Sequence, residues 1–255
     1  MLFTRSTFIG IDPAAGRGGI AYAALDGDLK PLALGRGPLA EALAYAGGQQ
    51  EAWVAVHGPG GLNRGLMADK KRRAALSPAP KSGQLQNLRL AEFLVLQRRF
   101  PIYKTPRKPD GLRGWHRTSL RLHEQLDKLG FKTHPRGEAK RKRLESAPEL
   151  CYRRWLGRIP FYPHSIEGRL QRQLALYDFG LRIPDPMEFF EEITRHRILQ
   201  GVLPDEMLYR PAELNALALA ALAWLAAQEP GHVETLGDKQ EGEITLPLPV
   251  NENAR

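Results

Sequence analysis

Six polar side chains stand at or just beyond the ends of apolar stretches, and their types suit metal or acid–base chemistry. Asp12 follows the strand-like run at residues 8–11, and His57 follows the short apolar run at 53–56. Glu145 and Glu149 flank Pro148, while Glu213 and Asn215 fall in the first turns of a helix that begins at Pro211. Acids so far apart in sequence converge only if the strands that carry them lie side by side in one sheet. Converging carboxylates repel one another and stay ionised beside a cation, and hard oxygen ligands favour Mg²⁺ or Mn²⁺. Such ions activate water and stabilise a departing oxygen in phosphodiester hydrolysis.

The stretch at 8–25, FIGIDPAAGRGGIAYAAL, places Asp12 in the mouth of an expected antiparallel hairpin joined by a small-residue turn. Asp before Pro also opens turns without any further role, so both readings of Asp12 stand on this stretch. A third strand is expected at 29–35, then a helix at 38–46 behind a proline and closed by Gly47 and Gly48. The run at 53–56 has the look of a buried parallel strand, reached through that helix as crossover. Residues 58–83 read as an excursion rich in Gly, Pro and basic residues. Helices are expected at 87–99, 115–129, 148–156, 165–176, 186–199 and 211–228, the last with a stripe of Leu214, Leu217, Ala218, Ala221 and Leu225. Segments 131–135 and 143–146 compete as the next strand, and 243–249 is expected as an edge strand.

Charge is distributed unevenly. Residues 64–158 hold 25 Lys or Arg against eight Asp or Glu, although the whole chain carries only +9. A block of that kind inside a folded chain points to a polyanion, nucleic acid first, with a solubilising surface as the bland alternative. The densest runs are Lys70, Lys71, Arg72 and Arg73, and Lys140, Arg141, Lys142 and Arg143. One cysteine, Cys151, forms no internal disulfide and reads as a packed thiol. The N-terminal residues lack a signal-peptide core, and the longest apolar run, 216–227, is too short for a membrane span. A soluble, cytoplasmic protein without membrane attachment is expected. Gly16, Gly18 and Gly19 do not spell a phosphate loop, because no Lys-Ser pair follows.

The element order, three strands, a helix and a strand and then alternating helices and strands, makes the first and fourth strands neighbours, as in the ribonuclease H-like fold. Several blocks also resemble the predicted nucleases of that superfamily grouped as domain of unknown function 429. They are IGIDPA at 9–14, AVHGPGGLNRG at 55–65, LESAPELCYRRWLG at 144–157, EGRLQRQLAL at 167–176, ELNALALAALAW at 213–224 and LGDKQEGEITLP at 236–247. The resemblance implies one α/β domain over 1–255, with a mixed sheet of order β-β-β-α-β-α-β-α and helices on both faces. A basic insertion at about 58–117 and a helical segment at about 165–200 would complete it.

It further implies a metal-dependent nuclease site. Asp12 matches the family's first acid, Glu149 with Glu145 beside it matches the acid of a Pro-Glu segment, and Glu213 matches the acid opening the last helix. Arg169 and Arg172 match a basic pair. Two positions depart, because the family often has Asp where this chain has His57 and Asn215. Neutral groups there weaken Mg²⁺ binding. His57 remains able to ligate Mn²⁺ or Zn²⁺ or to act as a general base, or it is simply a hydrogen-bonded structural residue. Asn215 can offer a carbonyl oxygen. The resulting expectation is hydrolysis of DNA or RNA with Mg²⁺ or Mn²⁺, Asp12, Glu149, Glu213 and His57 being catalytic. Glu145 and Asn215 would add ligands, and Arg64, both basic runs, Arg169 and Arg172 would contact the strand. The alternative is a degenerate member that binds nucleic acid without cutting it.

Overall fold

The computed structural model describes residues 6–14, 16, 19–80, 85–112 and 114–249. The expected Gly-rich turn is therefore described only at residues 13, 14, 16 and 19, and Gly18, Lys81, Arg113 and the expected frayed end at 250–255 lie outside the described residues.

The chain begins with β1 (Thr7–Asp12), β2 (Ile20–Leu25) and β3 (Pro31–Gly37), followed by α1 (Leu39–Gly47) and β4 (Ala52–His57). After α2 (Lys70–Ala74), α3 (Leu90–Gln97) and α4 (Gly114–Lys128) come β5 (Lys132–Thr133) and β6 (Arg141–Ser146). Then follow α5 (Pro148–Leu156), α6 (Ile166–Asp178), α7 (Glu188–Glu192), α8 (Arg195–Leu199) and α9 (Pro211–Gln228), before β7 (Val233–Asp238) and β8 (Gly242–Pro247). The strands form one mixed sheet in the order β3-β2-β1-β4-β6-β8-β7, with β5 also beside β6. β1 to β3 run antiparallel, β1, β4, β6 and β8 run parallel, and β7 closes the edge antiparallel to β8.

Alternation along the strands assigns two faces. Phe8, Ala21, Ala23, Ala55 and Leu144 pack against α5, α6 and α9, whereas Ile9, Ile11, Val54 and Val56 pack against α1 and α4. The face under α9 is built for close approach. A Cβ on Gly10 would lie 2.0 Å from the carbonyl oxygen of Ala216 and 2.4 Å from the backbone nitrogen of Ala220. The alanine-rich helix is buried on nearly every side, beyond the stripe read from its spacing, because α5 and α6 cover what the sheet does not. Among the described residues no helix is long and apolar enough to cross a membrane.

Several elements differ from the sequence reading. The two competing segments are both strands, β5 and β6, with β6 beginning two residues earlier than read. The expected helix at 186–199 is two five-residue helices, because Ile193 and Thr194 are extended and the Thr194 side chain caps α8 through the N–H of Arg197. The expected edge strand at 243–249 is an inner strand. The unforeseen β7 takes the edge, paired to β8 through a turn at Asp238 to Glu241. Cys151 is buried, and burial pushes its thiol up.

Gly10→Ala forces a methyl group into the backbone of α9, so a loss of about 3 kcal/mol, the upper end for overpacked cores, is expected. The denaturation midpoint of the variant measures it. An unshifted midpoint would mean that α9 does not lie against β1 at this position.

Candidate functional site

Asp12 ends β1 and His57 ends the neighbouring parallel strand β4, one step beyond the paired Ile11 and Val56. Parallel pairing with both ends flush brings the two side chains together on the α9 side of the sheet. His57 Nδ1 lies 2.8 Å from Asp12 Oδ1. Asn215, in the second turn of α9, donates from Nδ2 to Asp12 Oδ2 at 2.8 Å, and the N–H of Ala14 donates to Oδ1 at 2.9 Å. Asp12 itself is buried. Burial works against its charge, but His57, Asn215 and Ala14 outweigh it and hold the carboxyl below its usual value. An ionised carboxylate needs a donor, so His57 carries its proton on Nδ1 and leaves Nε2 open. The imidazole is further steadied by the Trp115 ring at 5.0 Å.

Asp12, Ala14, His57 and Asn215 line a cleft of about 350 Å³ together with Glu149, His164, Arg172 and three prolines. Glu149, in the first turn of α5, accepts from Arg153 Nε at 3.1 Å and from Arg172 Nη2 at 3.2 Å. Arg172 is buried, spans to the carbonyls of Phe161 and Gly168, and lies over the Tyr152 ring. The cleft thus holds one buried carboxylate oriented on a histidine, and one arginine balanced by a glutamate.

The other expected site residues lie elsewhere. Glu145 pairs in register with Val56 and so points to the opposite face of the sheet from Asp12. There it accepts from Arg89, from Tyr103 at 2.7 Å and from the N–H of Gly60 at 2.7 Å. Burial opposes its charge, yet Arg89, the N–H of Gly60 and His123 hold its carboxyl low. Glu213 turns back to the N–H of Arg210 at 2.7 Å and caps its own helix, while Asn215, about 200° further round, meets Asp12. Arg169 anchors residues 205–209 through Asp205 and the carbonyls of Leu208 and Tyr209, and does not line the cleft.

The basic runs are also placed away from Asp12. Arg141 is in register with Ala52 and thence with Thr7, about 17 Å along the strand from Asp12. Arg141 donates to the carbonyls of Leu129 and Gly47, Lys142 lies over the Trp53 ring, and Arg143 grips Asp127 with two nitrogens. Lys140 remains exposed. In the other run Arg72 pairs with Asp238 and Arg73 holds the carbonyls of Met67 and Ala68, leaving Lys70 and Lys71 exposed.

The residues do not fit a dedicated Mg²⁺ or Mn²⁺ centre. Among the described residues no three His, Cys, Asp or Glu side chains gather closely enough to hold a metal ion. Both cleft carboxylates already answer donors of the protein. His164 gave no signal in the sequence, and neither did the buried pair of Arg89 and Glu92. Burial raises the Glu92 carboxyl despite its Arg89 partner.

A carboxyl held below its usual value contributes stability above the ordinary carboxyl range, and loses it as pH falls through its own lower value. Asp12→Asn is therefore expected to be less stable than the native chain at neutral pH, with the gap closing below about pH 4. Thermal melts from pH 7 to pH 3 check this, and a gap independent of pH would remove the ionised carboxylate.

No curated protein and no solved structure matches the chain. A family model described as protein of unknown function (DUF429) matches residues 10–242, spanning β1 to the start of β8. By that match the chain belongs to the DUF429 family.

Proposed function

We propose that this protein hydrolyses phosphodiester bonds of a nucleic acid in the Asp12 cleft, with His57 rather than a bound cation taking the proton from water. The observation that carries this reading is the contact between the buried Asp12 carboxylate and His57 Nδ1. It fixes the ring and leaves Nε2 open as a proton acceptor, and the carboxylate stabilises the imidazolium that forms. As the water oxygen bonds to phosphorus, its proton passes to Nε2. The bond to the departing sugar oxygen breaks, and that oxygen takes up a proton from solvent. Arg172, whose charge Glu149 shares, is the arginine that lines the cleft beside a phosphate.

Two further features support the assignment. The strand order β3-β2-β1-β4-β6, with the first three antiparallel, agrees with a ribonuclease H-like sheet, in which the end of the first strand is the expected place for the key acid. The excess of basic residues over 64–158 suits a polyanionic substrate. A second reading, binding without cleavage, draws on the engagement of Glu149 by two arginines and of Asp12 by three donors.

End-labelled DNA and RNA, single- and double-stranded, incubated with the protein in excess chelator, distinguish these readings. Cleavage that persists without metal and falls about 10²- to 10⁴-fold in His57→Ala is expected, the usual contribution of a general base. Cleavage only on addition of Mg²⁺ or Mn²⁺ would return water activation to a cation. Retention of the strand with no product under any condition would favour the binding protein.

A further inference from the structure

A second cavity lies on the other side of the sheet from Asp12 and takes no part in the proposed hydrolysis. It exists because the outer edge of β6 is shared. β5 pairs with it at Lys142 and Arg143, and β8 only at Glu145, so the two neighbours diverge and leave a notch. The loop after β4, the turn between β7 and β8, and Arg107 wall this notch into a pocket of about 670 Å³. That volume suits a ligand of nucleotide size.

The floor is a finished polar network. Arg89, fully buried, spans Glu145 and Glu92 and donates to the carbonyl of Glu241. Glu241 is also buried and accepts from the N–H groups of Leu66 and Leu90 at 2.8 and 3.0 Å. Gly242 keeps the chain close over this floor, because a Cβ there would come within 3.0 Å of Arg89 Nη1 and 3.2 Å of Glu145 Oε2. The buried carboxylates of Glu92, Glu145 and Glu241 therefore all point at protein donors.

The walls are cationic. Arg64, Arg107, Arg136, Arg143 and Lys239 line them. Arg143 is held by Asp127, and Arg136 pairs with Glu243. Arg107 spends one hydrogen bond on the carbonyl of Gln86. Arg64 and Lys239 are exposed and have no partner among the described residues. Among the described residues no aromatic ring lines the pocket, so its recognition is of charge rather than of a base.

We propose that this pocket is a binding site for adjacent phosphate groups, gripped by Arg64, Arg107 and Lys239. Guanidinium forks and an ammonium match phosphate oxygens through charge-assisted hydrogen bonds. The phosphates come either from a small diphosphate or from consecutive positions of a nucleic-acid backbone. The site stands whether or not the Asp12 cleft is catalytic.

Titration calorimetry of the full chain with inorganic pyrophosphate, and separately with a short single-stranded oligonucleotide, tests this. Asp12→Asn serves as the control for the other cleft. Pyrophosphate is expected to bind the native chain and the control equally, and at least tenfold more weakly to the double variant R64S/K239S. Both replacements remove exposed, unpaired side chains, so the melting temperature of the double variant should match the native one. Loss of oligonucleotide binding in the same variant, with displacement by pyrophosphate, would assign the phosphates to a strand. Unchanged oligonucleotide binding beside lost pyrophosphate binding would assign them to a small molecule. Absence of pyrophosphate binding at millimolar concentration, or equal binding by R64S/K239S, overturns the proposal.

Discussion

The backbone of α9 rests directly on β1, and that contact sets the geometry of everything around Asp12. Gly10 leaves no Cβ between strand and helix, and the neighbouring alanines of α9 keep the separation small. A bulkier pair would move the helix outward by more than an ångström. The hydrogen bond from Asn215 to Asp12, 2.8 Å long across 203 residues of sequence, does not survive a displacement of that size. Packing density in the core thus fixes the orientation of a carboxylate at the surface of the sheet, and through it the orientation of His57.

The two sides of the sheet then solve opposite electrostatic problems. On the α9 side a single carboxylate is buried among neutral or weakly basic donors, and its charge is directed onto one imidazole. On the other side Arg89, Glu92, Glu145 and Tyr103 form a closed network in which nearly every lone pair has a donor. Networks of this kind are costly to leave half-satisfied, so they fix the arrangement of the elements that meet there, α3, β6 and the β7–β8 turn. The division follows from strand alternation alone: Glu145 and Ser146 are adjacent in sequence and face opposite layers.

Much of this was legible in the sequence. The first hairpin, the crossover helix, the fourth strand and the capped Ala-rich helix all announced themselves by apolar periodicity and by Pro and Gly at their limits. Asp12, His57 and Asn215 were visible as polar residues at element ends, and the two-residue spacing of Glu213 and Asn215 turns them to different sides of the helix. Glu145 was expected beside Asp12, and its register with Val56 excludes that side; seeing this needed the pairing of β6, which its polar, basic first half obscured. Arg89 and Glu92 gave no warning. A charged pair three residues apart at a helix start looks the same in sequence whether it faces solvent or the core, and only long-range packing decides. The basic runs show the same limit: Arg141, Lys142 and Arg143 engage the protein's own carbonyls, rings and carboxylates, which their spacing in the sequence does not reveal.

The placement of Asn215 also gives the molecule an order of assembly. A ribosome delivers Asp12 and His57 early, whereas the helix that clamps the carboxylate emerges some two hundred residues later. Until then Phe8, Ala23 and Ala55 form part of an uncovered apolar floor, and the carboxylate lacks one of its three donors. The unfinished chain is at once sticky and chemically unset, and docking of one alanine-rich helix ends both conditions together.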